Sequence, residues 1–165
     1  MQPMIDIIRS NGWLTADVLR EGLARGWASK RDVVDFALDR LGAGHDGPEV
    51  MSLLDAEQLD LATLQALLQR SQNTDTPASV KSPLSPWMYA TLVQIAEGRG
   101  GEDEKLDQLE ELYASFGYPE QLRECSRYYV PTHDQQLSVG EHTESPLLAM
   151  ARLLETLKKE LSGEA

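Results

Sequence analysis

Residues 102–119 read Glu102-Asp103-Glu104-Lys105-Leu106-Asp107-Gln108-Leu109-Glu110-Glu111-Leu112-Tyr113-Ala114-Ser115-Phe116-Gly117-Tyr118-Pro119. Leu106, Leu109, Leu112, Tyr113 and Phe116 recur at spacings of three and four, the period of one helical face, while Asp103, Asp107, Glu110 and Glu111 project elsewhere. Carboxylates in the first turn suit the positive end of a helix. Gly117 supplies the left-handed residue on which a helix closes, and Pro119 launches another turn or two carrying Leu122 and Cys125. The spacing predicts a helix with one apolar and one acidic face, followed by a tight corner.

The same period extends in both directions. Upstream, Trp87, Met88, Leu92, Ile95 and Ala96 line a helix that Ser85-Pro86 opens as cap and first position, and that Gly98-Arg99-Gly100-Gly101 breaks. Downstream, Ser145-Pro146 opens a terminal helix with Leu147, Leu148, Ala151, Leu154, Leu157 and Leu161 expected inward. Near the N-terminus, Met4, Ile5 and Ile8 mark a short helix, Thr15 caps a helix over 16–24, and Ser29 with Asp32 resembles a capping box. Val33, Val34, Ala37, Leu38 and Leu41 then form one expected face, which Gly42 closes. Pro48 starts the next segment, and the leucines from Leu53 to Leu68 predict one interrupted or two short helices to Arg70. Gly12-Trp13 and Gly26-Trp27 each stand just before a hydroxyl cap. An indole there packs back on its helix as a hydrophobic staple does, which accounts for the repeat without a paired recognition motif.

No segment alternates with a period of two, so the fold class is all-α, an irregular multi-helix bundle of about seven to eight helices. Residues 1–165 form a single helical domain, divisible into an N-terminal half (1–70) and a C-terminal half (86–162) joined by the turn-rich segment 71–85.

The 165 residues include 15 Lys+Arg and 27 Asp+Glu, a formal charge of −12. Residues 1–50, 51–100 and 101–165 carry nets of −2, −2 and −8, so the excess is concentrated in the last third. That field repels phosphates and anionic lipid, which disfavours nucleic acid and membrane surfaces as partners, and it steers in a basic one. Apolar residues at 41% accompany the charge, so the chain reads as globular rather than disordered. No apolar run is long enough to span a bilayer. The acidic N-terminus lacks the pattern of a secretory signal, and the single cysteine suits a reducing compartment, so the expected location is cytoplasmic.

Catalytic and cofactor signatures are few. His45, His133 and His142 fall in expected loops, and no H-E-x-x-H or paired-cysteine spacing points to a metal. His133, Asp134, Glu141 and His142, all in the irregular segment 130–144, could form a loop metal site, but only their composition points to it, and surface loop histidines are the ordinary explanation. Cys125 shares an apolar face with Leu122, as a core residue does. Gly98-Arg99-Gly100-Gly101 lacks the Lys-Ser/Thr of a phosphate loop. The residues therefore give no catalytic set, metal or cofactor, and an enzyme is the disfavoured class.

Tyr113-Ala114-Ser115-Phe116-Gly117-Tyr118-Pro119-Glu120, preceded by Trp87-Met88-Tyr89-Ala90 and followed by Tyr128-Tyr129-Val130-Pro131, resembles the signature of a family of small bacterial proteins of unknown function. Ile5, Gly12-Trp13, Val18, Gly22 and Gly26 are similar to that family's N-terminal half, so the likeness spans most of the chain. Thr132 stands where the family carries a second proline. Members are often found among toxin genes, and the resemblance implies an immunity (antitoxin) role with no catalytic residues to carry over.

The resulting expectation is an acidic immunity protein that binds and occludes a cognate toxin domain with a basic surface. Glu102, Asp103, Asp107, Glu110 and Glu111 would meet its cations, with Tyr118 and Tyr128 as aromatic anchors. The alternative is a helical adaptor or regulatory subunit of another bacterial complex; an enzyme with a loop site near His133 and His142 ranks last.

Overall fold

Thr15 and Ser29 begin two helices by one device. The Thr15 hydroxyl accepts the Val18 N–H at 3.3 Å. The Ser29 hydroxyl accepts the Asp32 N–H at 3.3 Å while the Asp32 carboxylate accepts the Ser29 N–H at 2.8 Å, completing the capping box expected from the sequence. Ser145 caps the last helix in the same manner, accepting the Leu148 N–H at 3.2 Å with Pro146 in the first turn.

The computed structural model describes residues 3–44, 47–70, 82–126 and 145–163. Among them are eight α-helices, two 3-10 segments and no strand, the all-α architecture that the periodicity predicts. The helices are α1 (Met4–Ser10), α2 (Ala16–Ala24), α3 (Lys30–Gly42), α4 (Pro48–Leu53), α5 (Leu61–Arg70), α6 (Ser85–Glu97), α7 (Glu102–Ser115) and α8 (Pro146–Leu161). The 3-10 segments are Ala56–Gln58 and Glu120–Cys125. The chain divides into two compact units, Gln2–Ala90 and Thr91–Ala165, and the division falls inside α6. Residues 71–81 of the expected linker lie outside the described residues. Among the described residues no helix is long and apolar enough to cross a membrane.

The unit Gln2–Ala90 is organised around Trp87. Its side chain is fully buried, and its indole N–H donates to the Val18 carbonyl of α2 at 2.7 Å. Val18 and Gly22 lie one turn apart on a common face of α2. Gly22 leaves that face bare, and a Cβ there would overlap the six-membered ring of Trp87. Trp27 packs against Trp87 with ring centroids 5.7 Å apart, and Trp13 meets Tyr89 edge-on at 5.1 Å. Both Gly-Trp pairs therefore pack against the start of α6.

Their backbone also closes the preceding helices. Gly12 and Gly26 adopt φ of 76° and 77°, which glycine accepts without steric cost. The Trp13 N–H reaches back to Ile8 O at 3.1 Å and the Trp27 N–H to Gly22 O at 2.8 Å, the long-range bond of a Schellman closure. In each case the tryptophan's backbone N–H closes the helix before it.

Other expectations shift by a residue or a rotation. The left-handed residue after α3 is Gly44 (φ 91°), while Gly42 is the last helical residue. The buried face of α3 is Val33, Phe36 and Ala37, with Leu38 50% exposed, because that face meets α4 and the Ala56–Gln58 segment. Ser85 is already helical, so α6 begins a residue earlier than the cap reading placed it.

In the unit Thr91–Ala165, α7, α8 and the Glu120–Cys125 segment pack on one another around Leu109, Leu112, Leu122, Cys125, Met150 and Leu157. Cys125 is buried beside Leu122 as expected. On α8 the inward positions are Ala149, Met150, Leu157 and Leu161, whereas Leu148 and Ala151 are exposed. Lys105 Nζ donates to Ala96 O at 3.1 Å, tying the start of α7 to a terminal carbonyl of α6.

Replacing Gly22→Ala forces a methyl group into the Trp87 ring and is expected to destabilise the protein by about 1–3 kcal/mol, measured by urea denaturation. Combining it with Trp87→Phe should cost less than the sum of the two single changes, because the smaller ring vacates the contested volume. A second outcome concerns Asp60, which accepts the Thr63 N–H at 2.7 Å ahead of α5. Hydrogen bonds from the Thr63 side chain and backbone, with a smaller contribution from the Lys30 charge, hold the Asp60 carboxyl below its ordinary pKa against weak desolvation. Its stabilisation is present above the unfolded pKa and is lost as pH falls through the lowered folded value. Asp60→Asn keeps an acceptor without the titration, so its melting temperature should fall less steeply than that of the parent protein below about pH 4.

Candidate functional site

The corner after α7 carries the distinctive backbone. Gly117 has φ 76° and Tyr118 φ 58°. The Tyr118 N–H donates to Tyr113 O at 2.8 Å and the Gly117 N–H to Ala114 O at 3.0 Å, the two bonds of a Schellman closure. That motif brings the residue after the glycine against the residue three before the cap. Here the Tyr118 and Tyr113 rings meet edge to face, 5.1 Å apart at 80°. The Tyr118 ring thus folds back on the last turns of α7. Its left-handed backbone costs roughly 1–2 kcal/mol for a residue with a Cβ. Tyr118 is nonetheless 66% exposed.

The helix leading to this corner presents its acids outward. Leu109 and Leu112 are buried, Glu102, Asp103, Asp107 and Glu111 are exposed, and Glu110 is half-buried. The carboxylates run from Glu102 in the first turn of α7 to Glu111 about one turn before its end, a length of about 14 Å, and Tyr118 follows beyond the helix. Five of the seven expected site residues therefore lie on α7 and a sixth at its end, while Tyr128 falls outside the described residues. His133 and His142 also lie outside them. Among the described residues no group of three or more His, Cys, Asp or Glu could hold a metal ion. The arrangement on α7 offers charge and an aromatic edge to another surface.

Sequence reasoning missed a second constellation, in the unit Gln2–Ala90. Arg9 on α1 and Phe36, Asp39 and Arg40 on α3 line a cleft with Leu14 and Ala43. The only signal in the sequence is an arginine near the end of a short apolar helix, since 30 residues separate Arg9 from Asp39.

A family model described as "Uncharacterized protein conserved in bacteria (DUF2247)" matches residues 5–162. No curated protein and no solved structure matches the chain.

Replacing Tyr118→Gly removes the ring contact but also the left-handed strain, so stability should change by less than about 1 kcal/mol. Tyr118→Ala keeps the strain and loses the contact, and should melt below both the parent protein and Tyr118→Gly.

Proposed function

The chain belongs to this family of proteins conserved in bacteria, and we propose that it acts as an immunity-type interaction protein, masking the basic surface of a cognate toxin domain. The observation that carries the proposal is the outward acidic face of α7 ending in an exposed tyrosine held on a strained backbone. Strain of this kind persists where the surrounding structure fixes it, and it concentrates at functional surfaces. A tyrosine brings a large, rigid contact at little entropic cost, and aromatic residues are enriched among the few that dominate binding energy.

The electrostatics support the same reading. Residues 101–165 carry a net of −8, and the Asp103, Asp107, Glu110 and Glu111 carboxylates project from the helix that leads to Tyr118. Such a field accelerates encounter with a cationic patch and orients it before contact. Lys and Arg that a toxin uses to hold an anionic substrate would be covered by these acids, and inhibition follows from occlusion without any chemical step. The role implies a cytoplasmic site of action, where the buried thiol of Cys125 stays reduced.

The direct test is co-expression of the chain with each toxin-like product encoded beside it, followed by a growth-protection assay and purification of the complex. Protection together with a stable complex supports the proposal. Purification with an unrelated host complex and no protection supports the adaptor reading instead. In the complex, the combined change Asp103→Asn, Asp107→Asn, Glu110→Gln and Glu111→Gln should slow association by about tenfold at low salt and flatten its dependence on ionic strength. Tyr118→Gly should act chiefly on dissociation. Association rates that stay the same across an ionic-strength series would sink the role given to α7.

A further inference from the structure

Arg9 lies in the last turn of α1 and reaches both its own helix and α3. Its Nη1 is 3.6 Å from Asp6 Oδ1, and its Nε is 3.5 Å from Asp39 Oδ2. These are charge contacts, too long for good N–H···O hydrogen bonds. Nε and Nη2 are shut off from solvent and make no hydrogen bond. Together they form the side edge of the guanidinium, the edge that a carboxylate engages through two parallel bonds. A buried charged donor without an acceptor is costly. That edge therefore calls for an oxygen ligand that Asp39 supplies only in part.

Arg9 also lines a cleft of about 240 Å³, which its buried edge can meet once Asp39 moves aside. Leu14, Phe36 and Ala43 give it an apolar lining, and Arg9, Asp39 and Arg40 a charged one. The Arg40 guanidinium carbon lies 5.0 Å from the Phe36 ring centroid, which keeps a second cation at the site. The volume is below the usual range for drug-sized ligands, so the occupant is small. Asp6 and Asp39 both lie against Arg9, and carboxylates already at the site make one further negative charge better tolerated than two. Asp39 is 64% exposed at its side chain and can turn to water when another oxygen takes its place.

We propose that this cleft binds a single carboxylate on a short apolar body, gripped side-on by Arg9 and flanked by Arg40, with Asp39 as the internal competitor for the same edge. The carboxylate comes either from a small free acid or from the last residue of a peptide, since both present the same group. The site is separate from the acidic face of α7 and does not depend on the role given to that face.

The test is an NMR titration of the full chain that follows the arginine side-chain N–H groups and the Leu14 methyls. The probes are isovalerate, for a free acid, and N-acetyl-leucine, for a peptide terminus. N-acetyl-leucinamide and inorganic phosphate serve as controls. A saturable shift of the Arg9 Nε–H with at least one carboxylate and with neither control is the expected result, and the better probe identifies the source. Arg9→Lys keeps the charge but loses the two-pronged edge, and should weaken binding by about tenfold. Asp39→Asn removes the competitor and should strengthen binding several-fold, whereas a purely structural Arg9–Asp39 pair would give no such gain. The proposal is overturned by absence of saturation with both carboxylates, by equal shifts from phosphate, or by unchanged binding in a folded Arg9→Lys protein. Should Arg9→Lys fail to fold, Asp39→Asn decides, and unchanged or weaker binding in that variant overturns the proposal as well.

Discussion

The indole of Trp87 lies against the backbone of α2, and the unit Gln2–Ala90 depends on that contact. Two conditions make it possible. The face of α2 must be bare where the ring lands, which Gly22 provides, and the indole N–H must find an acceptor in a dry interior, which the Val18 carbonyl provides at 2.7 Å. An unpaired N–H in that position would cost more than the hydrogen bond itself contributes. With Trp87 seated, Trp27 has a ring to pack on, and Trp13 finds Tyr89 two residues further along α6. Deleting a buried side chain of this size leaves a cavity that costs about 3–5 kcal/mol, a large share of a typical domain's stability.

Three helices of this protein, α1, α2 and α7, end with the same local device, a left-handed glycine followed by an aromatic residue whose N–H reaches back five residues. After α1 and α2 the aromatic residue is a tryptophan that packs on the first turns of α6. After α7 it is Tyr118, which meets only its helical neighbour Tyr113 among the ring contacts of the described residues and stays largely in water. The local closure is common to all three, and the fate of the ring is set by what stands opposite. An exposed aromatic at the third closure, beside a helix whose outer face is acidic, is the feature by which this chain meets a partner in the proposal above.

Charge shows the same division between local pattern and spatial arrangement. The acids of α7 were legible because leucines at three and four fix the inner face, and a helix has only one other side to offer. The Arg9 edge was not legible. Asp6 lies one turn before it, but Asp39 comes from another helix, and no spacing rule reports that two donors of a guanidinium at position 9 will be buried and unbonded. Such a group arises from packing, where the desolvation of an ion depends on every neighbour at once.

Short-range patterns in the chain are enough to specify the helices, their caps at Thr15, Ser29 and Ser145, the corner at Gly117-Tyr118 and the burial of Cys125. Each follows from interactions among residues at most a few positions apart, or from one-dimensional periodicity. Tertiary structure alone decided which of several apolar faces turned inward: Phe36 rather than Leu38 on α3, and Met150 rather than Leu148 on α8. A helix bearing leucines on more than one side has no intrinsic preference among them. The choice falls to whichever neighbouring helix offers matching volume, and that neighbour is remote in the chain.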